Sequence, residues 1–436
     1  MLIGFGVENY GAIKGFQFIS FVASALKDGT RGVIKKAYPG MSHKNYLRSI
    51  AMYGANAAGK STFMRALATL RSIITNSYGM GAHDTLPYVP FALDDEGPSK
   101  PTSFAVEFIS GENDVRYHYE LSYNLTEIVE ERLEVYPKGR ERLLFERSRT
   151  NGIKDSESVK ISKAVLPLIN DNVPLLSFLA NYTNLEAYDV VRPAYSWFLD
   201  ELICLNRGPS GADQIPFSGE IIDGTQGTDS ARSFIQSMVK EADLGISSVH
   251  VQRRKASDAE RAQLTQAAIL FGAPIDNLSD TIKTVVFSHQ KSDGTIVNFN
   301  MGLESDGTTR IFDLSGFIAV ALERGATLVV DELDSSIHPI LLSALVECFQ
   351  NPDSNPNNAQ LLFTAHNSVL LRGDKLRRDQ IWFVQKEDGK STAYPLTDFS
   401  VRKGEAIETG YLGGRYEATP DIPGLEDGMG LGSTRE

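Results

Sequence analysis

An eight-residue glycine-rich segment constrains the fold of this chain more than any other feature. Residues 54–61 read Gly-Ala-Asn-Ala-Ala-Gly-Lys-Ser and match the pattern G-x-x-x-x-G-K-[ST] at every fixed position. Residues 50–53 before the segment form an apolar run, and residues 62–67 after it have the composition of a helix. We therefore predict a strand, a tight loop and a helix, the arrangement in which backbone N–H groups surround a phosphate.

The loop predicts a site for ATP with Mg²⁺. Lys60 would neutralise phosphate oxygens, and Ser61 would place its hydroxyl on the metal. The residues expected to contact the nucleotide are Gly54, Asn56, Ala57, Ala58, Gly59, Lys60, Ser61 and Thr62. A chance match in a glycine-bearing turn is the alternative, and the strand before and the helix after the loop argue against it.

The composition is that of an ordinary globular protein. The chain has 436 residues, of which 42% are hydrophobic and 22% charged, so we predict a large core and two or three lobes. Its two cysteines, Cys204 and Cys348, lie in apolar surroundings, which favours core residues in a reducing cytoplasm over a disulfide. Neither a signal-peptide pattern nor a long apolar run occurs, so we expect no membrane span and no membrane partner.

The formal net charge of −12 disfavours a protein whose whole surface binds nucleic acid. A local basic groove is compatible with this balance, and residues 253–255 and 372–378 are the two candidates. We interpret both as solvated charged faces in preference to phosphate-binding stripes, because runs of charge are most often exposed surface.

The first part of the chain predicts antiparallel structure around the phosphate loop. Residues 1–159 contain apolar and polar residues in alternation, interrupted by turn residues. This pattern indicates strands that pair through short turns. The predicted strand pairs lie at residues 2–21, 102–123 and 132–146.

The remaining chain predicts an α/β architecture with an insertion. Residues 160–280 show helical spacing and are predicted as an inserted helical lobe, with a mobile loop at residues 206–228. In residues 281–416 strands alternate with helices, as a mainly parallel sheet requires. Residues 417–436 have few apolar residues and are predicted to be disordered.

A second group of polar residues would complete the ATP site. Asp331 and Glu332 end an apolar strand, where Asp331 can hold Mg²⁺ through water and Glu332 can activate the attacking water. His366 follows the next apolar strand, and residues 305–307 precede an apolar helix whose N-terminus favours an anion. Each element alone has a structural alternative, such as a solvated strand end. Their order along one chain favours the ATP site.

These elements resemble those of ABC-type ATPases of the SMC-like branch. Within that branch the chain is similar to the RloA-like group of bacterial AAA family ATPases, which are related to the ATPase subunits of anti-phage systems such as Septu and PARIS. The further motifs that carry this resemblance lie at residues 8–10, 136–140, 304–308, 380–384, 401–403 and 410–416.

The resemblance implies an ABC-type ATPase head in which ATP lies between two copies of the chain, so a homo-oligomer is expected. The implied roles are Lys60 and Ser61 for phosphate and Mg²⁺, Asp331 for Mg²⁺, Glu332 as catalytic carboxylate, Ser305, Asp306 and Gly307 for the partner's γ-phosphate, Asp334 for signalling across the dimer and His366 as the switch. Two features depart from the ABC pattern of transporters. The signature is Ser-Asp-Gly, as in the RloA-like group, rather than the transporter-type Ser-Gly-Gly, and residues 90–94 lie near the place of a glutamine loop that is not convincingly present.

Three functions remain open from the sequence. The first is an ATPase that controls a separate effector, a nuclease or toxin, in phage defence, with DNA or a phage product as a possible trigger. The second is a nuclease with its own active site, as in OLD-type proteins, although only 70 residues, 436 minus 366, follow His366. The third is an ATP-gated scaffold or DNA-binding protein with little turnover. A transporter subunit fits least well.

Overall fold

The computed structural model describes residues 1–28, 31–157, 159–182, 189–205, 215–242, 245–271, 281–373 and 375–419. Contacts divide the chain into two compact units. The first consists of Met1–Asn206, Gly325–Asp334 and Ser343–Glu436, and the second of Arg207–Arg324 and Ser335–Leu342. Residues 206–214 of the predicted mobile loop, and the predicted tail from residue 420 onward, lie outside the described residues.

The strands of the described residues are β1 (Leu2–Glu8), β2 (Gln17–Ser20), β3 (Val33–Lys35), β4 (Asn45–Leu47), β5 (Ser49–Tyr53), β6 (Thr102–Ser110), β7 (Val115–Tyr123), β8 (Ile128–Val135), β9 (Arg142–Ser148), β10 (Gly152–Asp155), β11 (Leu202–Leu205), β12 (Ile246–Lys255), β13 (Thr281–Gln290), β14 (Ile296–Asn300), β15 (Thr327–Val330), β16 (Gln360–Thr364), β17 (Ile381–Glu387) and β18 (Lys390–Pro395).

The helices of the described residues are α1 (Lys60–Asn76), α2 (Leu175–Asn181), α3 (Arg192–Ser196), α4 (Phe217–Asp223), α5 (Asp229–Ala242), α6 (Asp258–Phe271), α7 (Asp306–Arg324), α8 (Pro339–Gln350) and α9 (Ile407–Leu412). A π-helical turn, Trp197–Glu201, follows α3. None of the described helices combines the length and the apolar character needed to cross a bilayer.

The first unit contains a seven-stranded sheet in the order β10-β9-β8-β7-β6-β1-β2. All neighbouring strands in it are antiparallel. The predicted pairs β1 with β2, β6 with β7 and β8 with β9 are therefore confirmed. Over residues 102–107 of β6, buried and half-buried residues alternate, as expected for a strand with one face toward the core.

The second sheet of this unit has the order β11-β15-β16-β5-β17-β18. Its first five strands are parallel, and β18 pairs with β17 in the antiparallel direction. Every residue of β5, β15 and β16 is buried, which is typical of a parallel sheet covered on both faces. The prediction of a mainly parallel core is confirmed. Because β16 lies between β5 and β15, the carboxyl ends of these three strands meet at one edge.

One hydrophobic cluster joins both sheets of the first unit through α1. Phe63 and Leu70 of α1 are buried, and the same cluster includes Phe104 of β6 and Leu362 of β16. A helix that is apolar around most of its circumference must be covered on several sides. This packing fixes the N-terminus of α1 at the end of β5.

The two cysteines are half-buried. Cys204 lies on β11 and Cys348 on α8, and both are free thiols. Burial raises the pKa of Cys204 to about 12 and also raises the pKa of Cys348. Both thiols therefore stay protonated near neutral pH. The side chains are half-buried, so the two cysteines lie beside the core and are not fully enclosed in it.

The second unit combines helices with a three-stranded antiparallel sheet. Helices α4, α5 and α7 pack on one another, α4 and α5 also contact β12, and the sheet order is β12-β13-β14. Strand β12 lies within the segment predicted as helical. Its partner β13 begins at residue 281, beyond the predicted lobe, so pairing that is distant in sequence determined its conformation. The lobe thus contains helices and a sheet.

Residues 217–223 form α4, so the prediction of a mobile loop is wrong for this part of residues 206–228. Ser218 and Gly219 have low helix propensity, which made a loop the better prediction. The small side chains permit a close approach to α7. The Gly316 N–H donates to Ser218 Oγ at 3.0 Å, and a Cβ on Gly316 would lie 2.6 Å from that oxygen. Tertiary packing outweighs local propensity here.

Candidate functional site

The phosphate loop connects β5 to α1, so the strand, loop and helix predicted from the sequence are confirmed. Ala57 has φ of 62° and Gly59 has φ of 105°, both in the left-handed region. A Cβ on Gly59 would lie only 2.1 Å from Ser391 Oγ. The Ser391 hydroxyl donates to Ala58 O at 2.7 Å, so a residue of β18 holds the loop in shape.

The loop is buried at its base and open at its tip. Asn56 and Ala57 are exposed, Gly59 and Ser61 are half-buried, and Gly54, Ala58, Lys60 and Thr62 are buried. Open backbone at the tip leaves room for a phosphate chain against the loop. The buried base keeps the N-terminus of α1 directed at that space.

Lys60 lies in the centre of the loop. Its Nζ donates to Gly54 O at 2.8 Å and to Ala55 O at 3.0 Å, and the residue is only 5% exposed. Burial lowers the pKa of Lys60, while the negative charges of three nearby acids, Asp331, Glu332 and Asp334, raise it. The sheet thus brings a lysine near three carboxylates that lie more than 270 residues further along the chain.

The two acids that follow β15 are both held by one threonine. Thr364, the last residue of β16, donates its hydroxyl to Asp331 Oδ1 at 2.7 Å. The same hydroxyl oxygen accepts the N–H of Glu332 at 2.7 Å. Glu332 has φ of 49°, a strained conformation for a residue with a side chain. Thr364 therefore fixes the position of both acids, a role that the sequence did not predict.

Replacement of Thr364 by valine is expected to lower kcat about tenfold and to leave KM for ATP nearly unchanged, because two hydrogen bonds that position the acids are lost. Valine keeps the volume but cannot donate or accept. Steady-state phosphate release at several ATP concentrations separates the two constants. Thr364→Ser retains the hydroxyl and is the matched control. Equal kcat in Thr364→Val and wild type would contradict the positioning role.

Asp334 organises the turn after β16. Its Oδ2 accepts the N–H of His366 at 2.7 Å and the N–H of Asn367 at 2.6 Å. Its Oδ1 is buried without a hydrogen-bond partner among the described residues. Oδ2 therefore stabilises the turn, while Oδ1 remains available as a hydrogen-bond acceptor. His366 lies beside it and is exposed, in a position to meet a ligand.

A short C-terminal helix, α9, packs against this edge. The Tyr411 ring lies edge-on to the Tyr53 ring, with 5.8 Å between the ring centroids. Glu408 accepts from Ser368 Oγ at 2.5 Å, two residues beyond His366. Tyr411 lies in the segment 410–416, which contributed to the family resemblance. The sequence predicted no role for Tyr411 or Glu408, because Tyr53 and Ser368 lie 40 positions or more away from them along the chain.

The Ser-Asp-Gly signature lies in the second unit, at the start of α7. Ser305 Oγ accepts the N–H of Thr308 at 3.1 Å and thereby caps this helix. A Cβ on Gly307 would lie 2.9 Å from Ser336 O, so only glycine fits without adjustment. Asp306 is exposed in the first turn of the helix. The arrangement is that of a helix N-terminus built for close backbone approach.

Ser61 and Asp331 present the hydroxyl and carboxylate oxygens that Mg²⁺ prefers. Asp331 already receives a hydrogen bond that orients it, as is usual for a metal-binding carboxylate. These residues therefore fit the ion. In the segment near the expected glutamine loop, Asp94 pairs with Lys14 at 2.5 Å and accepts the N–H of Gly97, which makes it a turn residue. It offers no evident further metal ligand.

The first basic candidate is largely neutralised within the second unit. Arg253 pairs with Asp223, which also pairs with Lys283 at 2.8 Å, and Arg254 pairs with Glu260. This is the solvated charged face that the sequence interpretation favoured. The second candidate, residues 372–378, has a different environment, described below.

The fold and the site define a P-loop nucleotide-binding protein of the mixed α/β type. A family model described as "AAA domain, putative AbiEii toxin, Type IV TA system" matches residues 49–372. The match spans most of the chain and includes the loop, both acids and His366. The protein therefore belongs to this family of AAA-domain ATPases. The comparison with curated proteins gives no match.

Remote similarity to solved structures also exists. The Smc head bound to the C-winged helix domain of ScpA aligns with a TM-score of 0.40 at 11% identity, over 90% of this chain and 97% of that chain. The SMC head domain from Thermotoga maritima gives 0.37 at 11%, over 90% and 98%. An Smc head domain with an extended coiled coil, bound to the C-terminal domain of ScpA and derived from Pyrococcus furiosus, gives 0.39 at 10%, over 90% and 96%.

Proposed function

We propose that this protein is an ABC-type ATPase of the SMC-like branch that binds and hydrolyses ATP with Mg²⁺. The observation that carries the proposal is the convergence at one sheet edge of Lys60, the acid pair after β15 and the His366 turn. Nucleotide-binding folds of parallel strands place their ligands at this edge. A chance phosphate loop would not be accompanied by two acids and a histidine.

Each residue has a distinct task in this proposal. Lys60 exchanges its carbonyl partners in the loop for phosphate oxygens, and Ser61 with Asp331 would hold Mg²⁺, whose charge would offset that of the phosphates. Glu332 accepts a proton from the attacking water. His366 contacts the terminal phosphate and, through its hydrogen bond to Asp334, transmits the presence of that phosphate to the next turn.

We further propose that two copies associate, so that residues 305–307 of one copy complete the ATP site of the other. The glycine at position 307 and the capped N-terminus of α7 support this, because both suit an anion brought by a partner. By resemblance to RloA-like, Septu and PARIS ATPases, the nucleotide state would control a separate nuclease or toxin in anti-phage defence. No observation among the described residues favours an OLD-type nuclease or a scaffold without turnover.

A subunit-mixing experiment tests the composite site. Lys60→Ala and Ser305→Arg chains are each expected to be inactive alone. A 1:1 mixture should recover about a quarter of the wild-type turnover, since half of the dimers are mixed and each has one intact site of two. A chain with both substitutions, mixed with wild type, is the control for exchange. No recovery in the mixture, with exchange demonstrated by mass, would refute the shared site.

A further inference from the structure

A concave pocket in the first unit gathers basic side chains from three separate segments. Its walls come from residues near Asp28, from the stretch that begins at Gly373 and from the stretch that begins at Arg402, and it holds about 760 Å³ of space, its open mouth included. Its basic residues are Arg31, Lys375, Arg377, Arg378, Arg402 and Lys403. The sequence patch at residues 372–378 thus contributes to a shaped cavity.

The acids that line the pocket are already paired. Asp28 receives two hydrogen bonds from Arg378, to Oδ1 and Oδ2, each at 2.8 Å, and the contact lowers the pKa of Asp28. Glu405 pairs with Arg415 and accepts the N–H of Arg402. These two carboxylates therefore have little capacity to neutralise the remaining cations.

Three cations at the pocket form no ion pair with any described residue. Lys375 Nζ donates to Ser343 Oγ at 2.7 Å, and Lys403 Nζ donates to Lys27 O at 3.2 Å, both neutral acceptors. The side chain of Arg402 has no acidic partner in the described part of the chain. Lys375, Arg402 and Lys403 are exposed, so water solvates their charges in the free protein and an anion that enters the concavity can reach each of them without displacing a carboxylate.

We propose that this pocket binds a phosphate-bearing anion through Lys375, Arg402 and Lys403. Arginine and lysine together suit phosphate, because guanidinium forms paired hydrogen bonds and ammonium adds a compact charge. No aromatic side chain occurs among the described lining residues, so nothing there stacks on a nucleobase. The pocket recognises the phosphate groups themselves, whether they belong to a free polyphosphate or to a nucleic-acid strand.

Calorimetric titration tests the proposal on the full chain. The probes are tripolyphosphate and a single-stranded oligonucleotide, added with ADP in excess so that the phosphate loop is occupied. The variant Lys375→Ala/Arg402→Ala/Lys403→Ala should weaken binding at least about tenfold. The control Arg140→Ala/Lys154→Ala/Lys163→Ala removes the same charge from exposed positions and should bind like wild type. Salt should weaken wild-type binding more steeply than variant binding.

Each outcome decides the proposal. Binding of tripolyphosphate that only the pocket variant loses supports a free phosphate ligand, and selective loss of oligonucleotide binding supports a strand. Undetectable binding of both probes, or an equal loss in pocket and control variants, overturns it. If the triple variant does not fold, Arg402→Glu alone is used with Arg140→Glu as its control. Because ADP fills the other site throughout, failure here is distinct from failure of the proposed ATPase.

Discussion

Replacement of Glu332 by glutamine is expected to lower ATP turnover about 10²–10⁴-fold while ATP still binds. Glutamine has the shape of glutamate but cannot take a proton from water. The two acids after β15 have different surroundings, because Thr364 donates its hydroxyl to Asp331 but receives only the backbone N–H of Glu332. This difference agrees with the proposed roles, in which Asp331 would hold the metal and Glu332 would accept the proton.

Phosphate release under saturating ATP measures turnover, and equilibrium titration with Mg·ATP measures binding. Glu112→Gln is the matched control, because Glu112 is exposed in a turn and should change neither quantity. Turnover of Glu332→Gln within a factor of two of wild type would remove Glu332 from the chemistry. Loss of binding together with turnover would instead indicate that Glu332 supports the fold of the site.

Replacement of Lys60 by alanine is expected to weaken ATP binding about 100-fold or more. Lys60 is buried, and its ammonium group donates to Gly54 O and Ala55 O of the loop. In the variant, three carboxylates remain near the site without this positive charge, so the charge of ATP meets repulsion instead of attraction.

Titration of wild type and Lys60→Ala with Mg·ATP measures this effect, and circular dichroism on heating reports whether the loop change alters stability. Lys60→Arg keeps the charge but has a larger, planar head group, and it should recover only part of the affinity. Lys163→Ala, at an exposed position, is the control for charge alone. Unchanged ATP affinity in Lys60→Ala would contradict the phosphate-loop assignment.

Local sequence sufficed where neighbouring residues determine the conformation. The alternation in residues 102–123 predicted β6 and β7, and the loop between an apolar run and a helical run predicted the β5-loop-α1 unit. Prediction from local sequence failed where contacts between distant residues determined the structure. Strand β12 pairs with β13, which starts beyond residue 280. The small residues of α4 allow it to pack closely on α7. Propensity is a local quantity, and these contacts are not local.

The amino-acid sequence by itself determined the chemistry available to the site: the residue types in the loop, the acid pair and the histidine. Only the tertiary structure decided which groups meet. It placed β16 between β5 and β15, so that Thr364 holds both acids, and it brought the Tyr411 ring against the Tyr53 ring. The physical reason is that the parallel sheet aligns the ends of strands that are distant in sequence. Hydrogen bonds then form between side chains and backbone groups that no local sequence pattern pairs with each other.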